Sequence, residues 1–247
     1  MTAHVETTES TVRRDLAAAY RLAARLGWTD TIYTHLSASV PGAPGVYLLN
    51  RFGLRFDEVT ASNLVKVDAH GQVVDGSGAR VNPSGFAIHG AVHAARPDAA
   101  CVMHLHTRWG VALSMRPEGL LMASQGAMRF FGRLGQHAYE GLAFGPEEQA
   151  RLVQRLGQLD GLILHNHGTL LVGRTVAEAF MLSYLLERAA MHQLTAQAAG
   201  GALRVVDDEV AARTFCQWVG DGSVLDGDDE WPALVRGLQT TDPHYLD

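Results

Sequence analysis

Apolar positions along the chain switch between two periods, and the switches mark out helices interleaved with strands. From Ser10 to Leu26, Leu16, Tyr20, Ala23 and Leu26 recur at helical spacing, and Gly27 supplies the stop. Residues 31–39, 45–49 and 64–67 read as strands, with Asp68-Ala69-His70-Gly71 as a hairpin turn before Gln72-Val73-Val74. Phe86, Ile88, His89, Val92 and His93 fall on one helix, with Ser84 as its cap and Pro97 as its end. The unbroken apolar runs Ala99 to Met103 and Gly161 to Leu164 predict buried strands. Pro146, Glu147 and Glu148 open a helix striped by Leu152, Val153 and Leu156. Thr175 and Glu178 form a capping-box pattern at the head of a long helix closed by Gly200-Gly201, and residues 208–218 read as a further helix. Strands alternating with helices predict an α/β fold, its sheet covered by helices on both faces.

Composition narrows the partners. A chain of 247 residues, 47% hydrophobic and 19% charged, can bury one large core. No composition break before about residue 200 divides it, and residues 1–9 read as a flexible tail. A net charge of -6 argues against nucleic acid and acidic membranes. Arg129 and Arg133 are the nearest approach to a basic cluster and read as a solvated face; the acidic segment from Gly220 to Glu230 lacks calcium-loop spacing and reads as a solvated loop. No apolar stretch approaches the roughly 20 residues of a membrane span. The polar start is neither a signal nor a transit sequence, and two cysteines make no disulfide framework, so a cytoplasmic location is expected. No glycine-rich phosphate fingerprint is present.

The chemistry gathers at two His-x-His sequences. His104-Leu105-His106 ends the first buried run, and alternation along a strand sends both imidazoles to one side, spaced to grip one ion. His165-Asn166-His167 ends the second, and either of its histidines could complete a three-imidazole site. Such a set leaves coordination positions open for a substrate and suits zinc, with manganese or ferrous iron as alternatives. His89 and His93, four apart on one helix face, fit helix packing better than ligation.

Val81 to Asp98 leading into His104-Leu105-His106-Thr107, then Leu164 to Gly173 and the helix from Thr175 to Arg188, resemble the class II aldolase/adducin family, in its adducin-head-like bacterial branch. Ile32 to Ser37 and Ala61 to Asp68 add to the likeness, which spans roughly residues 12 to 200. It implies a single three-layer α/β/α domain over 10–205 with a mostly antiparallel or mixed sheet, and a helical extension over 206–247 packed on the same domain. It implies His104, His106 and His167 as metal ligands, and a homo-oligomer, expected to be a tetramer. In sugar-phosphate aldolases of the family an acid/base glutamate opens the helix after the Pro-Ser motif; here that position is Gly85. A Gly-Asn pair of the phosphate site aligns with Thr34-His35, and of its paired serines only Ser84 is clearly retained. His137, Glu140 and His35 are the candidates to replace the missing carboxylate, a histidine serving as base near neutral pH. Ser84, Asn50 and His165 stand as candidate substrate-binding groups. The reading that follows is a metal-dependent carbon–carbon lyase, aldolase or decarboxylase, acting on a small nonphosphorylated oxo- or hydroxyacid anion. A ferrous oxygenase of the same fold and a noncatalytic adducin-like binding protein are the alternatives.

Overall fold

The computed structural model describes residues 7–141, 145–221 and 226–247, without the side chains of Pro83, Ser84 and Pro146. The tail before residue 7 therefore lies outside the described residues; within them Thr8 caps the first helix, accepting the Thr11 N–H at 3.2 Å. Strands β1 (His35–Ser39), β2 (Val46–Leu49), β3 (Val65–Asp68), β4 (Cys101–Leu105), β5 (Leu134–His137), β6 (Gly161–Leu164) and β7 (Gly168–Gly173) form one sheet ordered β3-β2-β1-β4-β7-β6-β5. Every neighbouring pair is antiparallel except β5 with β6. Helices α1 (Glu9–Arg25), α2 (Pro83–Ala95), α3 (Arg108–Ser114), α4 (Gln125–Met128), α5 (Pro146–Leu156), α6 (Val176–Ala198), α7 (Asp208–Val219) and α8 (Glu230–Thr241) accompany it. The α/β class and the mixed, mostly antiparallel sheet are those the sequence implies.

Strand alternation sorts the core into two layers. Leu36, Ala38, Cys101, Met103 and Leu105 pack against Leu16 and Tyr20 of α1 and Phe180 of α6. Val102, Leu162, Leu170 and Val172 pack on the opposite side against Ile88 and Val92 of α2 and Leu152 and Leu156 of α5. The polar residues at alternate positions, His35, Ser37 and His104, consequently share the α2 side. Trp231, Leu238 and Tyr245 join the α1–α6 core, so the C-terminal helices pack onto the same body. Among the described residues no helix is long and apolar enough to cross a membrane.

Several local expectations are corrected. Strand β1 begins only at His35, because residues 30–33 form a turn closed by an Asp30–Tyr33 bridge, with Thr31 at φ 51° and Thr34 at φ 67°. Asn82, not Ser84, caps α2, and Pro83 occupies the first helical position, where its missing N–H costs nothing. Thr175 caps α6 as expected, accepting the Glu178 N–H at 3.0 Å, but the Glu178 carboxylate accepts the Arg174 N–H at 2.5 Å instead of closing the box. Arg129 is not on a solvated face. Its guanidinium is 5% exposed and donates to Asp160 at 2.9 Å and to Asp226 at 2.5 Å. Asp226, from the segment expected to be a solvated acidic loop, is itself 12% exposed; residues 222–225 of that segment lie outside the described residues.

Candidate metal centre and its cavity

His104 in β4 and His106 just past its end meet at the edge of the sheet, and the tight β6–β7 hairpin delivers a third imidazole beside them. The chain does not run straight through His165-Asn166-His167. Asn166 adopts φ 56°, a left-handed conformation that asparagine tolerates, and the two histidines part there. His165 turns to Gln136, its Nε2 lying 2.7 Å from Oε1, while His167 joins the β4 pair. One ligand atom from each of His104, His106 and His167 lies within 4.8 Å of the others, and the three ring centroids are 4.7 to 4.9 Å apart.

Hydrogen bonds on the outer side of two rings fix their tautomers. His104 Nδ1–H donates to the Thr169 carbonyl at 3.0 Å, and His106 Nδ1–H donates to the Asp30 carboxylate at 2.8 Å. In the neutral forms that ligation requires, both Nε2 atoms then present lone pairs to each other at 3.2 Å. Two acceptors cannot satisfy one another, and a shared cation is what such a pair calls for. The spacing suits it: two nitrogens each about 2.0–2.1 Å from a tetrahedral zinc lie a little over 3 Å apart. Burial holds His104 well below the ordinary histidine pKa, with His167 and His106 adding to the effect, and burial likewise brings His167 down to about 4. These are uncharged donors, as ligation requires. Thr107, next in the chain, anchors the start of α3, its hydroxyl donating to the buried Glu187 carboxylate at 2.5 Å.

The three imidazoles line a cavity of about 550 Å³ whose wall also includes Thr34, His35, Gly85 and Phe52, with Tyr33 and Tyr139 among its more exposed residues. His35 pairs with His104 across β1 and β4 and is 4% exposed. Among the described residues neither its Nδ1 nor its Nε2 has a hydrogen-bond partner, and the Thr34 hydroxyl beside it is equally unpaired. Burial lowers the His35 pKa to about 4. A Cβ built on Gly85 would overlap Cε1 and Nδ1 of His35 and lie 2.9 Å from Nε2, so the ring fills the space of a side chain at position 85.

The remaining expected groups are not part of the three-histidine cluster. His137 ends β5, with its Nε2 3.9 Å from Glu140 Oε1, in a small crevice lined also by His165 and by His167 of the cluster. Glu140 is bound to Arg151 at the surface and does not reach the cluster. Asn50 is buried, its Oδ1 accepting the Tyr20 hydroxyl at 2.9 Å, and it faces the core instead of the cavity. The Ser84 side chain lies outside the described residues. His89 and His93 pack on the sheet as expected: His93 Nδ1–H donates to the Ala99 carbonyl, the Ser37 hydroxyl donates to His93 Nε2 at 2.8 Å, and His89 Nδ1–H donates to Ser37 at 2.7 Å. One residue of the site, Asp30, carries no signal in the sequence, because it lies in a turn among the β-branched Thr29, Thr31 and Ile32.

Fold and site together define an α/β protein carrying a three-histidine group able to hold a divalent ion. The family described as class II aldolase and adducin N-terminal domain matches residues 14–194, and the chain belongs to it. It is 45% identical over 243 residues to a Caulobacter vibrioides protein named for aldolase class 2, covering 98% of this chain and 95% of that one. It is 41% identical over 244 residues to alpha-adducin of Rattus norvegicus, covering 93% of this chain but 33% of adducin. The structure of L-fuculose 1-phosphate aldolase from Glaciozyma antarctica superposes with a TM-score of 0.85 at 29% identity, covering 100% of this chain and 96% of that one.

Proposed function

We propose that the chain is a divalent-metal-dependent carbon–carbon lyase, an aldolase or decarboxylase, acting on a small nonphosphorylated oxo- or hydroxyacid. The observation that carries this reading is the convergence of three imidazoles, with ligand atoms within 4.8 Å of one another, on the wall of a cavity. Three protein ligands with positions left over are the arrangement of catalytic rather than structural sites. A divalent ion held there supplies Lewis acidity, drawing electron density from a carbonyl while the neighbouring carbon bond breaks. The chain's own residues do the rest. Thr169 and Asp30 hold His104 and His106 in the tautomers that present Nε2. Among the described residues that line the cavity none is Lys or Arg, so a phosphate would find no cationic side chain there. The match to an L-fuculose 1-phosphate aldolase supports the reaction class; Gly85 and His35 favour a different substrate.

The test is elemental analysis of protein purified without added metal, joined to an assay for carbonyl products and oxygen uptake on 2-oxo and 2-hydroxy acids. One ion per chain is expected, lost in His104→Ala, with metal-dependent cleavage and no oxygen consumption. A full equivalent of tightly held metal in His104→Ala would overturn the assignment. Cleavage that consumes oxygen would move it to oxygenase chemistry.

A further inference from the structure

On the basis of the metal reading above, we propose that Glu187 is a positioning residue of the metal centre. Its buried carboxylate, on α6, fixes the short helix α3, and α3 in turn holds the chain at all three ligating histidines. Glu187 is 8% exposed. Among the described residues its carboxylate is hydrogen-bonded only to the start of α3, and to no cation. The Thr107 hydroxyl donates to Oε2 at 2.5 Å, the Gly110 N–H to Oε2 at 2.9 Å and the Trp109 N–H to Oε1 at 3.1 Å. A buried carboxylate without a counter-cation is costly to keep, and an apolar side chain of similar volume would avoid that cost. What the carboxylate secures is the place of α3.

Every metal ligand leans on that helix. Thr107 directly follows His106, so Glu187 grips the chain one residue beyond a ligand. Ser114, the last residue of α3, accepts the Asn166 N–H on its carbonyl at 3.1 Å and the His167 N–H on its hydroxyl at 3.2 Å. Those two bonds hold the left-handed bend that parts His167 from His165. The third contact runs through Gly110. A Cβ there would lie 2.5 Å from Thr107 Oγ1 and 3.1 Å from Thr169 Cγ2, so glycine lets α3 lie close to the residue whose carbonyl orients His104. Glu187 thereby acts on the end of β4 and on the β6–β7 hairpin together, from a helix that supplies no ligand.

Two measurements test this. Both Glu187 oxygens accept a backbone N–H, so Glu187→Gln must turn its NH2 toward one of those donors. Thr107→Val removes the hydroxyl and Thr107→Ser keeps it. In titrations with Co2+ followed by visible absorption, Glu187→Gln and Thr107→Val should bind about tenfold more weakly, and Thr107→Ser should bind as wild type does. Arg129→Met controls for lost stability, because its partner Asp160 precedes β6 while His167 follows it; this variant should melt earlier and keep its Co2+ affinity. Hydrogen exchange of apoprotein reads the same device without metal. In Thr107→Val the Asn166 and His167 amides should exchange about tenfold faster while those of β2 and β3 keep their rates. If Glu187→Gln does not fold, the Thr107 pair decides. Wild-type Co2+ affinity in Thr107→Val, equal weakening in Thr107→Ser or Arg129→Met, or unchanged exchange at Asn166 and His167 would overturn the role of Glu187 and leave the metal site standing. A wild-type protein that binds no Co2+ would overturn both.

Discussion

Asp30 offers a sharp test of how the centre is built, because it touches the cluster only through His106. The perturbation is Asp30→Ala, which removes the carboxylate accepting His106 Nδ1–H at 2.8 Å. Carboxylate partners of ligating histidines raise ligand basicity and hold the ring in place, and their loss typically costs about 10- to 100-fold in metal affinity. The Asp30 side chain is 45% exposed, so water screens much of its charge and the lower end applies. The expected loss is about tenfold, or about 1.4 kcal/mol. Asp30→Asn keeps an acceptor oxygen but not the charge, and since charge-assisted bonds are roughly twice as strong as neutral ones it should cost only about threefold. The assay is competition for zinc against a chromophoric chelator at neutral pH, with His104→Ala as the variant that loses the site. Zinc affinity in Asp30→Ala equal to wild type would refute the idea that this pair tunes the centre.

The buried ion pairs away from the site are open to the same treatment. Arg129→Met should destabilise by about 3–5 kcal/mol in denaturant titrations, because Asp160 and Asp226 lose the guanidinium that both share. Arg133→Met, whose side chain is 35% exposed, should cost under about 1 kcal/mol; equal effects would contradict the burial argument. Acid should weaken the fold through His93, whose pKa burial lowers from 6.5 to about 4. Its neutral form is favoured in the folded chain, so stability is intact above pH 6.5 and lost progressively as the unfolded chain takes up the proton between 6.5 and 4. The loss is about 1.4 kcal/mol per pH unit, and His93→Gln should flatten the acid dependence by that amount; an unchanged slope would refute the assignment.

What the sequence disclosed and what it hid follow from the range of the forces involved. Alternation along a strand is a local property, so the apolar run before His104 was enough to place two imidazoles on one side. The choice between His165 and His167 turns on a single left-handed residue, Asn166, and periodicity alone does not reveal that bend. Strand β5 reads Leu-Gly-Gln-His and has too little apolar alternation to announce itself, while α3 and α4 are too short to show a helical period. The overlap of His35 with the space at position 85 joins β1 to α2 and exists only in three dimensions. The same holds for Arg129, which reads as solvated until Asp226 arrives from 97 residues away.

The β4–β7 pairing also bears on the order in which the protein can assemble. His104 meets the Thr169 carbonyl across a separation of 65 residues, and His167 reaches its partners only once the intervening chain has folded and β7 has docked. An unfolded chain offers an ion at most the adjacent His104 and His106, a weak foothold. Capture of an ion at this site would therefore belong to the end of folding, after the slow nonlocal pairing is complete. Interactions formed that late act on the reverse step: a bound ion would leave the folding rate nearly unchanged and slow unfolding, clamping the middle of the sheet where β4, β6 and β7 meet.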